Sequence, residues 1–243
     1  MLLYELTGIP ADEYSLSNAV VFHNNLNPLL FERGLMKHDI RDALLKIAKH
    51  FEEFIGVPLD IKDITISGSN AAYSYTPNSD LDLHLVVEVP EGDEFKELLD
   101  AKKNQYNAQH DIKVKGIDVE LYAQDAKEKH HSLGIYSVLN DDWVSQPKKE
   151  QPDIDSDDVK SKYKNYRDRI RTVLKSDNAE MVKATWDTIK KIRKAGLEKH
   201  GEFGTENLVF KMLRSQGWIE KLHDHILNLK DTELSVEDLE LWN

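Results

Sequence analysis

Residues 66–87 read ISGSNAAYSYTPNSDLDLHLVV, and the fold turns on how this stretch divides. Leu81, Leu83, Leu85, Val86 and Val87 form an apolar run of the kind a buried strand uses. Asp80 and Asp82 stand at its mouth. On a strand, residues i and i+2 share a face, so both carboxylates aim away from Leu81 and Leu83. Their backbones lie about 6–7 Å apart at roughly 3.3 Å per residue, near enough for the carboxylates to converge. Unpartnered carboxylates are costly to bury, and two together drive one toward protonation. A divalent cation removes that difficulty. Mg²⁺ takes oxygen ligands and leaves room for waters and substrate phosphates. Two carboxylates on one strand suit a pair of such ions about 3.5–4 Å apart, clamping the attacking and leaving oxygens of a phosphoryl transfer.

A lone Asp-x-Asp is a weak signal, and three neighbours strengthen it. Gly68-Ser69 follows the preceding apolar strand, about 63–67; glycine lets backbone amides approach phosphates, and serine adds a hydroxyl. Ser79 directly precedes Asp80 and can fix the turn. The stretch IDVELY (residues 117–122) puts Asp118 and Glu120 on one face and Ile117, Val119 and Leu121 on the other. A second acidic strand beside the first would complete a three-carboxylate site. No GxxxxGK[ST] occurs, which excludes a P-loop NTPase.

The chain has 243 residues, 40% hydrophobic and 31% charged, and no cysteine. That describes a globular protein with a sizeable core, without disulfides, thiolate zinc sites or cysteine nucleophiles. No apolar run approaches the roughly 20 residues of a membrane span. The opening MLLYELTGIPADEY lacks a basic region, which argues against a signal peptide; the absence of cysteine is compatible with a cytoplasmic protein. Net charge is −12, distributed unevenly. Residues 1–158 carry 15 Lys+Arg against 30 Asp+Glu, residues 159–230 carry 17 against 9, and the last 13 residues carry 5 acids and no base. An acidic front suits metal and a basic segment suits phosphate; the plain alternative is a solvated, lysine-rich helical surface.

The spacing of Ile40, Ala43, Leu44, Ile47, Ala48, Phe51, Phe54 and Ile55 predicts an amphipathic helix over 37–56, ended by Gly56 and Pro58. A strand at 80–89, a helix at 93–108 and a hairpin or bulged pair of strands at 111–123 around Gly116 follow. Residues 125–158 read as turn-rich, with a linker near 146–157. Three helical stretches come next, the second closed by Gly201 and the third broken near Gly217. The expected fold is α+β: a small mixed β-sheet with flanking helices in residues 1–150, then a helical C-terminal domain in 151–243.

Strand, Gly-Ser, loop, Ser-Asp-x-Asp, apolar strand and a later acidic strand together resemble the nucleotidyltransferase superfamily related to DNA polymerase β. Ten residues lie between Ser69 and Asp80, and the resemblance covers roughly residues 40–125. That superfamily includes CCA-adding enzymes, poly(A) polymerases, antibiotic nucleotidyltransferases and oligonucleotide synthases. The whole chain is also similar to nucleotidyltransferase-like proteins of tailed bacteriophages. The stretches LNPLLFERG, RDALLKIAKHF, HDIKVKGIDVELYAQD, HSLGIYSVLNDDW and RKAGLEKHGEFGTENLVFKMLRSQGWIEKL carry that similarity.

The resemblance implies a polymerase β-like core using Mg²⁺ (or Mn²⁺), with Asp80 and Asp82 binding both metals and a third carboxylate binding one. Asp118 occupies the place of an Asp-apolar pair found in many members. VELY resembles the VEIQ-type strand of alarmone synthetases, which selects Glu120; Glu120 is preferred and both are kept. Gly68 and Ser69, with Ser79, are implied to hold the triphosphate of a substrate NTP such as ATP. Basic residues of the helical domain, Lys194 and Lys211 among them, are implied to face nucleotide or acceptor. The implied function is transfer of a nucleoside monophosphate to a hydroxyl, with an RNA or tRNA end favoured, in the cytoplasm of an infected bacterium. Alternatives are an oligonucleotide or alarmone (pyrophosphokinase-type) synthase on the same site, and a degenerate nucleic-acid or partner-binding module.

Other polar residues carry weaker signals. His130-His131 and His223-Asp224-His225 lack the helical spacing that puts two ligands on one face. His84 shares the face of Asp82 and is expected to be a satisfied polar residue at a strand edge. Lys113 and Lys115 are solvent lysines or phosphate contacts.

Overall fold

The computed structural model describes residues 14–90, 92–128, 132–149 and 151–235. The expectations for the first 13 residues, for His130-His131 and for the end of the acidic tail lie outside them. The chain divides into two compact units. One is Val20–Gln151; the other is Pro152 onward together with the segment that ends at Ala19. Residues 14–19 therefore belong with the helices, not with the sheet they were expected to precede.

The sheet unit opens with a small hairpin, β1 (Phe31–Glu32) and β2 (Leu35–Met36), that its sequence did not announce. Helix α1 (His38–Ile55) follows. Its buried residues Ile40, Leu44, Ala48, Phe51 and Ile55 recur every three or four positions, forming one apolar stripe. Gly56, at φ 77°, ends it in the left-handed region. Next come β3 (Ile61–Ser67), β4 (Leu81–Val87), α2 (Asp93–Gln109), β5 (Lys113–Val114), β6 (Ile117–Asp125), β7 (Ile135–Ser137) and β8 (Asp142–Ser145). Six strands form one mixed sheet in the order β5-β6-β4-β3-β7-β8. Only β4 and β6 run parallel; the other pairs are antiparallel. A parallel pair needs a crossover, and α2 supplies it.

Leu81, Leu83, Leu85 and Val87 are fully buried in one core with the α1 stripe, Leu121 and Tyr106. Asp82, His84 and Val86 on the other face are half-buried. Helix α2 is tied to β6 by Asn107, whose amide donates to the Leu121 carbonyl at 2.9 Å and accepts from the Leu121 amide at 3.0 Å. Past Asp118 the Val119 amide still donates to the Ile112 carbonyl at 2.8 Å, and at Leu121 the Asn107 side chain takes over the ladder. The β5–β6 hairpin turns at Lys115 and Gly116, both at positive φ, as a tight two-residue hairpin requires.

The turn-rich expectation for 125–158 is corrected by β7 and β8, which widen the sheet. Strand β7 is three residues, all buried, so it shows no alternation. Tyr136 anchors it, accepting from the Met36 amide and donating to Asp141.

In the other unit, α3 (Ser156–Val173), α4 (Ala179–His200), α5 (Thr205–Ser215) and α6 (Trp218–Leu234) pack together. Asp155 caps α3 by accepting from Asp157 and Asp158 amides, and Asn178 caps α4 through the Met181 amide. Helix α5 is central, with Leu208, Val209, Phe210, Met212 and Leu213 buried against α3, α4 and α6. The break between α5 and α6 falls at Gly217, φ 71°. Among the described residues no helix is long and apolar enough to cross a membrane.

Candidate active site

Parallel pairing sets Asp82 directly opposite Glu120, with Leu81 opposite Val119 and His84 opposite Tyr122. Asp82 and Glu120 therefore project from the same face of adjacent central strands. Asp80 precedes β4 on that side. A cleft of about 320 Å³ opens there, lined by Asp80, Asp118, Glu120, Asn107, His110 and Asp111 among others. Asp118 also belongs to it, but its carboxylate is ion-paired with Lys113, its partner across the β5–β6 hairpin. Lys113 is 3.4 Å from Asp111 as well. Its ammonium is held above its ordinary pKa, chiefly by the hydrogen bond to Asp118. Of the two acids in IDVELY, Glu120 is the one in register with Asp82.

Gly68 lies at φ 75°, ψ −164°, a region that L side chains rarely adopt. A Cβ there would stand 2.1 Å from Asp82 Oδ2. The carboxylate thus rests against bare backbone, and only glycine permits it. The chain then makes a 3-10 turn, Ser69–Ala71. Ser69 donates its hydroxyl to Ser79 Oγ at 2.8 Å, and Ser79 Oγ also accepts from the Thr76 amide at 2.9 Å. Ser79 therefore fixes the turn before Asp80, and the Ser69 proton is engaged inside the loop.

Asn70 was not singled out by sequence, yet it holds the loop. It is 1% exposed and donates to the carbonyls of Ser79 and Asp80 at 2.9 and 2.8 Å. Its own oxygen accepts from Asn27, at 2.8 Å. An asparagine in a loop is ordinary, and nothing local tells that its partners lie nine and ten residues on. Gly134 was missed too: a Cβ there would meet the Ala71 carbonyl at 2.2 Å, so the segment leading into β7 presses on the same turn.

The remaining candidates fall elsewhere. His84 is on a central strand rather than an edge, correcting that expectation; its Nε2 is 3.0 Å from Ser67 Oγ, and its ring stacks on Tyr122 at 4.8 Å. Lys115 pairs with Asp39 at 2.7 Å. Lys194 is exposed on α4, and Lys211 pairs with Glu202 at 3.0 Å; both belong to the helical unit. His225 meets the Ser176 carbonyl at 2.9 Å, while His223 lies beside Trp186.

Among the described residues no three His, Asp or Glu side chains stand close enough to hold a metal ion together. The acids share one face without forming one ligand cluster. Their chemistry nonetheless suits a hard cation: every donor is a carboxylate oxygen, and Gly68 leaves Asp82 a cradle that any Cβ would fill. Mg²⁺ is usually held by one or two carboxylates plus substrate phosphates, not by an all-protein cage. Asp82 and Glu120 are the pair in register for that task.

No family model matches the chain, and no curated protein matches it at a significant level.

Proposed function

We propose that the sheet unit is the catalytic core of a polymerase β-like nucleotidyltransferase, moving a nucleoside monophosphate from an NTP to a hydroxyl acceptor. The observation that carries this is Asp82 facing Glu120 across parallel strands, with the Asp82 carboxylate against Gly68. Asp80, Asp82 and Glu120 are the carboxylates that would hold Mg²⁺ or Mn²⁺, and Asp118 is restrained by Lys113. Such an ion, when bound, neutralises phosphate charge and stabilises the attacking and leaving oxygens. The Gly68-Ser69 turn offers close backbone approach to the phosphates. The acceptor oxygen bonds the α-phosphorus as the α–β bridging oxygen leaves with pyrophosphate, and Glu120 is assigned to assist loss of the hydroxyl proton. No protein nucleophile is involved; catalysis is positioning and electrostatics.

The basic residues 159–230 favour an RNA or tRNA end as acceptor, with Lys194 and Lys211 assigned to nucleotide or acceptor on the resemblance alone. A second reading, pyrophosphate transfer in an alarmone-type synthase, is favoured by the choice of Glu120 over Asp118 in the register.

Incubation with Mg²⁺ or Mn²⁺, total RNA and each NTP labelled at either the α or the γ phosphate separates these readings. Label from the α position in RNA supports nucleotidyl transfer; label from the γ position in a small nucleotide supports pyrophosphate transfer. Asp82→Ala is expected to reduce either by about a hundredfold or more. Absence of transfer by the wild-type protein under every condition overturns both.

A further inference from the structure

Strand β6 pairs with β4 along one edge and turns the other toward α2. Backbone N–H and C=O groups point to alternate sides along a strand, so Val119, Leu121, Ala123 and Asp125 present theirs to the α2 side. The Val119 amide is engaged there, donating to the Ile112 carbonyl at 2.8 Å, and the Asp125 carbonyl accepts from the Glu128 amide at 2.9 Å. Leu121 exchanges two hydrogen bonds with the Asn107 carboxamide, at 2.9 and 3.0 Å. Among the described residues nothing bonds the Ala123 amide or carbonyl on that side.

A cavity of about 240 Å³ opens at this point, lined by Ala123 and Tyr122 of β6 and by Leu99 and Lys103 of α2 among others. Ala123 is partly buried, with its methyl group against the core, so the part it shows is its main chain. Asn107 demonstrates what such a main chain accepts. Lys103 stands one helical turn before Asn107, about 6 Å along α2, and Ala123 lies about 6–7 Å along β6 from Leu121. The two steps match, so Lys103 is placed toward Ala123 as Asn107 is toward Leu121. Lys103 turns elsewhere, however: its Nζ lies 5.5 Å from the Tyr122 ring centroid and 3.5 Å from Asp100. The gap that Asn107 fills one turn away is left open here.

The charges around the cavity are matched, Lys103 with Asp100 and Lys96 with Glu128 at 2.5 Å, which leaves a charged ligand little to gain. Val89, Leu99 and the Tyr122 ring supply apolar and aromatic surface, the usual body of a small-molecule site around a few polar groups. We infer that this cavity binds a small neutral molecule through a planar carboxamide or lactam edge. Its N–H donates to the Ala123 carbonyl and its oxygen accepts from the Ala123 amide, as the Asn107 side chain does at Leu121. The inference goes beyond the transferase reading and does not rest on it, since no acid of the cleft takes part.

Benzamide, titrated into the full chain and followed by backbone-amide NMR, is the probe. A saturable shift centred on the Ala123 amide is expected. Methyl benzoate keeps the acceptor oxygen but lacks the donor, and should bind about tenfold more weakly. Ala123→Pro deletes a donor that the β4 ladder does not use, and should weaken benzamide by a similar factor. Lys103→Asn sets a second carboxamide one turn from Asn107, where it plugs the edge; benzamide binding should be lost and Tm should rise. Equal binding of amide and ester overturns the proposal, as do shifts that leave Ala123 unmoved or full binding by a folded Lys103→Asn. If neither variant folds, the wild-type shifts and the ester comparison decide. No binding of benzamide means that the cavity holds water alone, which also overturns it. Nucleotide transfer without benzamide binding leaves the transferase reading standing, and benzamide binding at Ala123 without transfer from any NTP sinks that reading alone.

Discussion

Gly68 and Asn70 show how much of the site rests on single residues. Gly68→Ala forces a side chain into a glycine-only conformation, at a cost on the order of 1–3 kcal/mol, and pushes the Asp82 carboxylate from its seat. The expected result is a lower Tm by calorimetry together with loss of the proposed nucleotide transfer. Asn70→Ala strands two backbone carbonyls and the Asn27 amide, and should destabilise by about 1–3 kcal/mol. Transfer should fall as well, because the Asp80 backbone loses its tether. Retained activity with lowered stability would show the tether to be structural only. The acids were legible because carboxylate pairs on a strand demand a reason. Asn70 was not, because a neutral loop amide makes no demand until its burial is known.

Among the elements, β4 was readable from alternation alone: Leu81, Leu83 and Leu85 are each 0% exposed while Asp82 and His84 stay half-buried. Strand β7 was not, since a three-residue buried strand has no period to detect. Its stability centres on Tyr136, whose phenol burial pushes up to about 12, from an ordinary 10.0. The folded chain binds the phenolic proton more tightly than the unfolded one. The stability this confers is whole below pH 10 and is lost as pH rises toward 12. Tyr136→Phe should lower Tm at neutral pH, because the Met36 amide and Asp141 lose their partner. The gap between wild type and variant should narrow between pH 10 and 12 in thermal melts. A gap that stays constant would exclude the phenol as its source.

At the scale of the molecule, the shift from mixed composition to helical pattern near residue 150 was visible in sequence, and the two units divide at 151/152. That residues 14–19 join the helical unit was not visible, because a short stretch of mixed composition has no period to read. The helical unit contains one charged hub. Lys162 lies 3.0 Å from both Asp158 and Glu206. The hydrogen bond from Lys162 holds Asp158 below its ordinary 3.8. Burial raises the Glu206 pKa, but the Lys162 hydrogen bond and nearby charge outweigh it and leave it below 4.5. Depressed carboxylates stabilise the fold above their unfolded values and lose that contribution as pH falls through the folded ones. Lys162→Met should therefore lower helix melting temperature at pH 7, with the deficit shrinking below about pH 4; circular dichroism melts at both pH values check it. An equal deficit at pH 7 and pH 3 would point to packing rather than charge.

By itself the sequence determined that Asp80 and Asp82 share a face, since a strand alternates by local geometry and the apolar leucines choose the buried side. It determined the helices as well, because their period is also local. Only the tertiary structure decided which acid of IDVELY stands opposite Asp82. Register between parallel strands joined through a helix is a non-local quantity, set by the α2 crossover, the Asn107 tether and shared burial of Leu83 and Leu121. The same packing decided that Asp118 turns to Lys113, and that Gly68 is glycine because a carboxylate from the neighbouring strand lies on it.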